Sequence, residues 1–157
     1  FKEVVKALKN EDGRKVIANY GLDPKLGKYH RTHCDNCEKT IETKEPVDKC
    51  PYCGSDKVTF GVFDRIELIK DKEESESPAN RPSYIYQVPL GFVPGVGGKT
   101  IEKLLDTFDT EMNILHKLSK DDIESVVGEK IANKIDDARS GKCIVHAGGG
   151  GNYGKIE

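Results

Sequence analysis

No apolar run in the sequence approaches the ~18 residues of a membrane-spanning helix, so no membrane partner is expected. Apolar residues are sparse in general: they make up 36% of the 157, against 33% charged. That balance is thin for one large core and suits small modules joined by polar segments. An excess of either charge is missing too. The net charge is −2, which excludes a global basic field, so a nucleic-acid partner would have to be held by a local site. The first residues are charged and helical in pattern and lack the apolar stretch of a secretory signal. The chain opens on Phe1 in mid-helix, so the expectation is an excised piece of a longer, cytoplasmic protein.

Against that background the cysteines stand out. Four of the five form two tight pairs, Cys34-x2-Cys37 and Cys50-x2-Cys53, while Cys143 stands alone and reads as a plain small residue. Without a secretory signal, this pattern points to metal binding in a reducing compartment and not to disulfides. Each pair places two thiolates on one turn, and two such turns facing each other make a tetrahedral four-thiolate cage that favours structural Zn2+ over iron. Pro51 fixes the entry to the second turn, and Gly54 supplies the positive φ that closes it. His30 and His33 lie beside the first pair, but four thiols already complete the site. A closed four-thiolate site has no open position and is not catalytic.

The expected fold class is mainly α with a small four-cysteine zinc-ribbon or knuckle module, a multi-module fragment that is α+β overall. Residues 1–21 read as a helix, Phe1 to Lys9, then a strand over Lys15 to Tyr20 that ends at Gly21. They look like the trailing edge of a preceding α/β domain. Residues 22–70 form the zinc module, with a strand over Lys57 to Val62 and a short helix carrying Phe63, Ile66 and Ile69. Residues 71–82, acidic, serine-bearing and twice interrupted by proline, read as a mobile linker. Residues 83–140 begin with an extended segment into Pro89, in which Tyr84 and Tyr86 are expected to pack. Three apolar helical stripes follow: Ile101, Leu104, Leu105 and Phe108; Ile114, Leu115 and Leu118; and Ile123, Val126, Val127, Ile131 and Ile135. Residues 141–157, with glycine at every position from Gly148 to Gly151, read as a flexible end that could lie along a bound nucleic-acid backbone.

The second motif is Val93-Pro94-Gly95-Val96-Gly97-Gly98-Lys99-Thr100, which turns into an amphipathic helix. Its glycines let the backbone approach a ligand closely, and the unpaired amides of the turn and first helical residues form an anion site. A nucleotide-binding P-loop would need glycine where Val93 stands, which disfavours an NTPase or helicase. The segment resembles the helix-hairpin-helix family, whose hairpin amides hold a DNA backbone phosphate without reading sequence. An internal repeat at an offset of 31 residues supports this: Val96, Gly97, Lys99, Ile101, Lys103 and Leu104 align with Val127, Gly128, Lys130, Ala132, Lys134 and Ile135. Ser125 and Val126 stand where Pro94 and Gly95 stand in the first copy, which puts the second grip in doubt. The expected DNA contacts are Gly95, Val96, Gly97, Gly98, Lys99, Thr100, Gly128 and Lys130; Lys103 and Lys134, four residues on, are either further phosphate partners or simply solvated.

Three stretches in order, Asn19 to Arg31, Arg81 to Leu90 and Gly149 to Ile156, flank these two motifs. Together they resemble the C-terminal part of the endonuclease Q family. That resemblance implies an N-terminal PHP-type metal-dependent nuclease domain, then a zinc module, then a helical domain, in proteins that cleave DNA beside deaminated bases such as uracil and hypoxanthine. It implies that Phe1 to Tyr20 end the PHP domain. The scattered histidines His30, His33, His116 and His146 cannot supply a PHP metal set, so this chain is not expected to be catalytic alone. The reading is a duplex-DNA-holding region of a repair endonuclease; the alternative is a protein-interaction module of a repair complex.

Overall fold

The structure, a computed structural model, describes residues 1–43, 45 and 47–157. Helix α1, Lys2–Lys9, ends where Asn10 turns left-handed at φ 56°. Strand β1 spans Ala18–Leu22, starting three residues later than expected and running through Gly21. It pairs in parallel with β5, Ser83–Gln87, in the register Ala18 with Ser83 to Leu22 with Gln87. The two close at Gly21 because glycine has no Cβ: one built there would lie 1.8 Å from the Tyr84 hydroxyl. The segment read as the edge of another domain thus shares a sheet with the start of the helical region.

Two-residue strands β2 (His33–Cys34), β3 (Lys39–Thr40) and β4 (Val58–Thr59) form an antiparallel ribbon with β2 in the centre. Among the described residues its own buried cluster is Cys34, Ile41 and Cys50. Helix α2, Val62–Ile69, is anchored to the ribbon by one buried acid. Asp64 accepts from the Thr32 amide and hydroxyl, both at 2.7 Å, and pairs with Arg31 at 3.2 Å. The Thr32 hydroxyl in turn accepts from the Gly61 amide at 3.1 Å. A buried carboxylate satisfied in this way fixes orientation more than it adds stability.

The helical region comprises α3 (Gly98–Phe108), α4 (Glu111–His116), α5 (Lys120–Val127) and α6 (Glu129–Arg139). The three apolar stripes do converge: Leu104, Ile114, Leu115, Ile123, Ala132, Ile135 and Ala138 form its core with Val88, Leu90, Val93 and Val96. The starts and ends of these helices are chemically marked. Ser119 and Asp122 make a reciprocal capping box before α5, which also holds the Asp122 carboxyl below its usual range through the Ser119 hydroxyl and amide. Arg139 closes the end of α4 by donating to the Ile114 and Leu118 carbonyls. Tyr84 and Tyr86, expected to be packed, are instead half exposed and lie against each other at 5.2 Å.

The expectation of a flexible end is corrected. Strands β6 (Val145–His146) and β7 (Lys155–Ile156) form a hairpin, and Ile156 is buried in the helical core together with Leu26. Between them the glycines interlock with residues 25–31. The Gly148 amide donates to Lys25 and its carbonyl accepts from Arg31; Gly151 donates to Lys28 and Gly154 to Leu26. Glycine is needed here for proximity. A Cβ on Gly148 would lie 2.3 Å from the Gly27 carbonyl, and one on Gly150 would meet the His33 ring at 2.3 Å.

Candidate metal centre and nucleic-acid interface

The ribbon brings Cys34, Cys37, Cys50 and Cys53 together, with all four sulfurs within 4.8 Å of one another. Two turns of the same shape carry them. In the first, the Glu38 amide donates to the Cys34 carbonyl at 2.9 Å; in the second, the Gly54 amide donates to the Cys50 carbonyl at 2.9 Å. Both donors sit left-handed, at φ 54° and 73°. Only the second is a glycine. Glu38→Gly is expected to raise stability by about 0.5 kcal/mol. It relieves roughly 1–2 kcal/mol of left-handed cost, partly offset by the roughly 0.5–1 kcal/mol entropic penalty of glycine. Thermal unfolding of the metal-loaded protein measures it, and a lower midpoint would refute the account.

The Cys34–Cys53 and Cys37–Cys50 sulfur pairs stand 3.6 Å apart. The edge of a tetrahedron with ~2.3 Å metal–sulfur bonds is ~3.8 Å, so the set fits a four-coordinate ion. The thiols already differ without one. The Ser55 amide, helped by the Asn36 side chain, brings the Cys53 thiol down to about 6, whereas desolvation and hydrogen bonds from its three neighbours push Cys37 up to about 12. Four packed thiols cannot all ionise unaided; a central cation removes that conflict. His30 and His33 are not in the set: His30 stacks on Phe63 at 5.1 Å, and His33 is buried against Gly150. Cys143 packs at the edge of the helical core, where burial raises its thiol.

The first hairpin runs from the 3-10 turn Leu90–Phe92 to α3. Gly95 turns at φ 90°, and Val93 and Val96 anchor the loop in the core. Two of the expected contacts lose their amides to the loop itself: Val96 donates to Val93 at 3.0 Å, and Thr100 to Gly97 at 2.9 Å. The amides of Gly95, Gly97, Gly98 and Lys99 have no acceptor among the described residues. A Cβ on Gly97 or Gly98 would meet nothing within 4 Å, so the space before these donors is open, and the Lys99 side chain is exposed beside it. These donors share the positive end of an 11-residue helix.

The second copy departs from this. Ser125 to Val127 remain helical, and Gly128 at φ 81° alone makes the turn between α5 and α6. Lys130 is exposed in the first turn of α6, but so is Glu129, whose charge competes with any anion there. The repeat has another consequence that sequence reasoning missed. Lys103 donates to the Val126 carbonyl, and its counterpart Lys134 donates to the Pro94 carbonyl at 3.0 Å. Each copy's lysine thus braces the other copy's turn. Lys103→Met is expected to cost about 1 kcal/mol in thermal unfolding, the net worth of one such hydrogen bond. A solvated lysine would show no change.

The IMS family HHH motif matches residues 78–110, the β5 strand, first hairpin and α3. Over 157 residues the chain is 49% identical to the uncharacterized protein YqxK of Bacillus subtilis (strain 168), covering 100% of this chain and 40% of that protein. It is 37% identical to the uncharacterized protein MJ0043 of Methanocaldococcus jannaschii, covering 99% of this chain and 21% of that one. Among solved structures, the lesion-specific endonuclease PfuEndoQ of Pyrococcus furiosus superposes with a TM-score of 0.79 at 38% identity. Endonuclease Q in complex with a 27-mer duplex bearing an abasic lesion superposes at 0.80 with the same identity. The chain is similar over its whole length to part of endonuclease Q. In each structure it covers 42% of the endonuclease Q chain, and it spans less than half the length of the curated relatives. The resemblance read from the flanking stretches is thus borne out, with the four-cysteine ribbon and the hairpin in place.

Proposed function

We propose that this chain is the duplex-holding region of a repair endonuclease that acts beside deaminated bases. It grips backbone phosphates through the first hairpin and is organised by a structural Zn2+ at Cys34, Cys37, Cys50 and Cys53. The observation that carries this reading is the set of amides at Gly95, Gly97, Gly98 and Lys99, without an acceptor among the described residues and with open space at Gly97 and Gly98, within the matched motif. The similarity to an endonuclease Q solved on a DNA duplex supports it. With a net charge of −2, binding depends on this local site, ignores base sequence and is steeply salt-sensitive.

In this reading no residue of the chain is catalytic; the reacting groups belong to a PHP-type nuclease domain elsewhere in the longer protein. The apolar faces of α1 (Phe1, Val4, Leu8) and α2 (Val62, Ile66, Ile69) are exposed, which supports their packing against that domain. The same exposed faces also favour a second reading, in which the chain docks onto partner proteins of a repair complex. Fluorescence anisotropy of labelled duplex across a salt series separates the two. Each phosphate contact steepens the log–log slope by about 0.9, so two or more contacts are expected to give a slope near −2 or steeper. No duplex binding at low salt with zinc bound would leave the protein-docking reading standing.

A further inference from the structure

Next to the first hairpin lies an open groove that neither the metal centre nor the hairpin amides use. Phe92 and Pro94 line it from the hairpin's approach, and Tyr153 and Lys155 line it from the tail. The two aromatic rings meet edge to face, 5.3 Å between centroids at 76°. Lys28 holds its ammonium 4.7 Å from the centre of the Tyr153 ring. Tyr153 is nevertheless 52% exposed, while Ile156, three residues on, is buried in the helical core. Among the described residues, no carboxylate lines the groove.

We propose that this groove is a base-stacking subsite that takes one unpaired base of the DNA strand whose phosphate the first hairpin holds. The proposal rests on the duplex-holding reading above. Three features select that occupant. A half-exposed aromatic wall offers a π-face to a flat ring, and every nucleobase has one. Lys28 and Lys155 supply positive charge with no acid in the groove to cancel it, as a phosphate-bearing ligand requires and an apolar peptide does not. Pro94 belongs both to the groove and to the hairpin, so the two sites are contiguous and serve one strand. Bases inside a duplex hide their faces, so the occupant must be extrahelical.

The subsite is pre-organised. Tyr153 rides on a tail pinned on both sides by backbone hydrogen bonds, Gly151 to Lys28 at 3.1 Å and Gly154 to Leu26 at 3.0 Å, so little ordering is left to do on binding.

The test compares anisotropy titrations of this chain with plain duplex and with the same duplex carrying a single-base bulge. The bulge is 2-aminopurine, whose fluorescence is quenched on stacking. Tyr153→Leu keeps bulk but removes the π-face; Tyr153→Phe keeps both. Tyr153→Leu is expected to weaken bulged-duplex binding about tenfold, the scale of one lost base–aromatic stack, and to leave plain-duplex affinity within about twofold. Protein-induced quenching should survive in Tyr153→Phe and vanish in Tyr153→Leu. Unchanged bulge binding in Tyr153→Leu, or an equal loss on both duplexes, would overturn the subsite while the hairpin reading stands. A wild-type chain that binds neither duplex would overturn both.

Discussion

Metal removal, or Cys50→Ser, is expected to unfold the ribbon over residues 32–59 while the helical region stays folded. The ribbon cannot hold itself together. Its strands are two residues long, and its buried cluster among the described residues is Cys34, Ile41 and Cys50, two of them from the thiol set. For modules of this kind, metal binding and folding together contribute roughly 10–16 kcal/mol, far more than burying one isoleucine. The helices have a separate core, Val88 to Ile156 joined by Leu26 from outside the ribbon, and should retain their circular dichroism. Amide hydrogen exchange reads the difference: protection at the Asp35 and Ile41 amides, which donate across the ribbon to Lys57 and Thr32, should be lost after chelation, and protection across α3 to α6 kept. Full protection in the ribbon after demonstrated loss of metal would show that the thiol cluster is not what organises it.

Gly97→Asp is expected to weaken duplex binding on the order of a hundredfold at low salt without lowering the unfolding temperature. Gly97 has φ −92° and ψ 175°, which any residue adopts, and a Cβ there meets no neighbour within 4 Å. The fold therefore tolerates the change. A carboxylate at that point occupies the space before the free amides and repels a phosphate. At about 4 Å and an effective dielectric near 20, two like charges cost about 4 kcal/mol before screening. Gly97→Ala separates the effects, since it adds bulk without charge and should lose less. If Gly97→Asp binds duplex as well as the wild type, the first hairpin is not the DNA site.

The features legible in the sequence were those whose partners lie close along the chain. Cys-x2-Cys pairs announce a thiol cluster because both cysteines of a pair sit on one turn, and the Pro-Gly-Val-Gly run announces a hairpin for the same reason. Helical stripes placed α3 to α6 well, since their period is local. What escaped was non-local. The β1–β5 pairing joins residues 18–22 to 83–87, and nothing in either segment names the other. The bracing roles of Lys103 and Lys134 escaped because their acceptors are backbone carbonyls, which carry no sequence signature. Asp64 reads as an ordinary helix-face acid until Thr32 and Arg31 close on it. The glycine run misled most. Glycine permits mobility and also permits contact closer than any side chain allows, and only the packed neighbours decide which. Nor does the sequence say which hairpin amides are spent locally, as those of Val96 and Thr100 are.

The wedge of tail glycines against residues 25–31 has a kinetic meaning. The two segments are more than a hundred residues apart, so their meeting closes a loop around nearly every other contact in the chain. Loop closure of that span is slow and comes after local structure is in place. The two thiol turns, by contrast, close within a few residues each. Folding should therefore run from separately formed ribbon and helices to a final docking step. Opening should begin in reverse, with the tail leaving first and withdrawing Ile156 from the helical core. Such a latch would be the last unit to dock, and it brings Tyr153 into place only once both parts are formed.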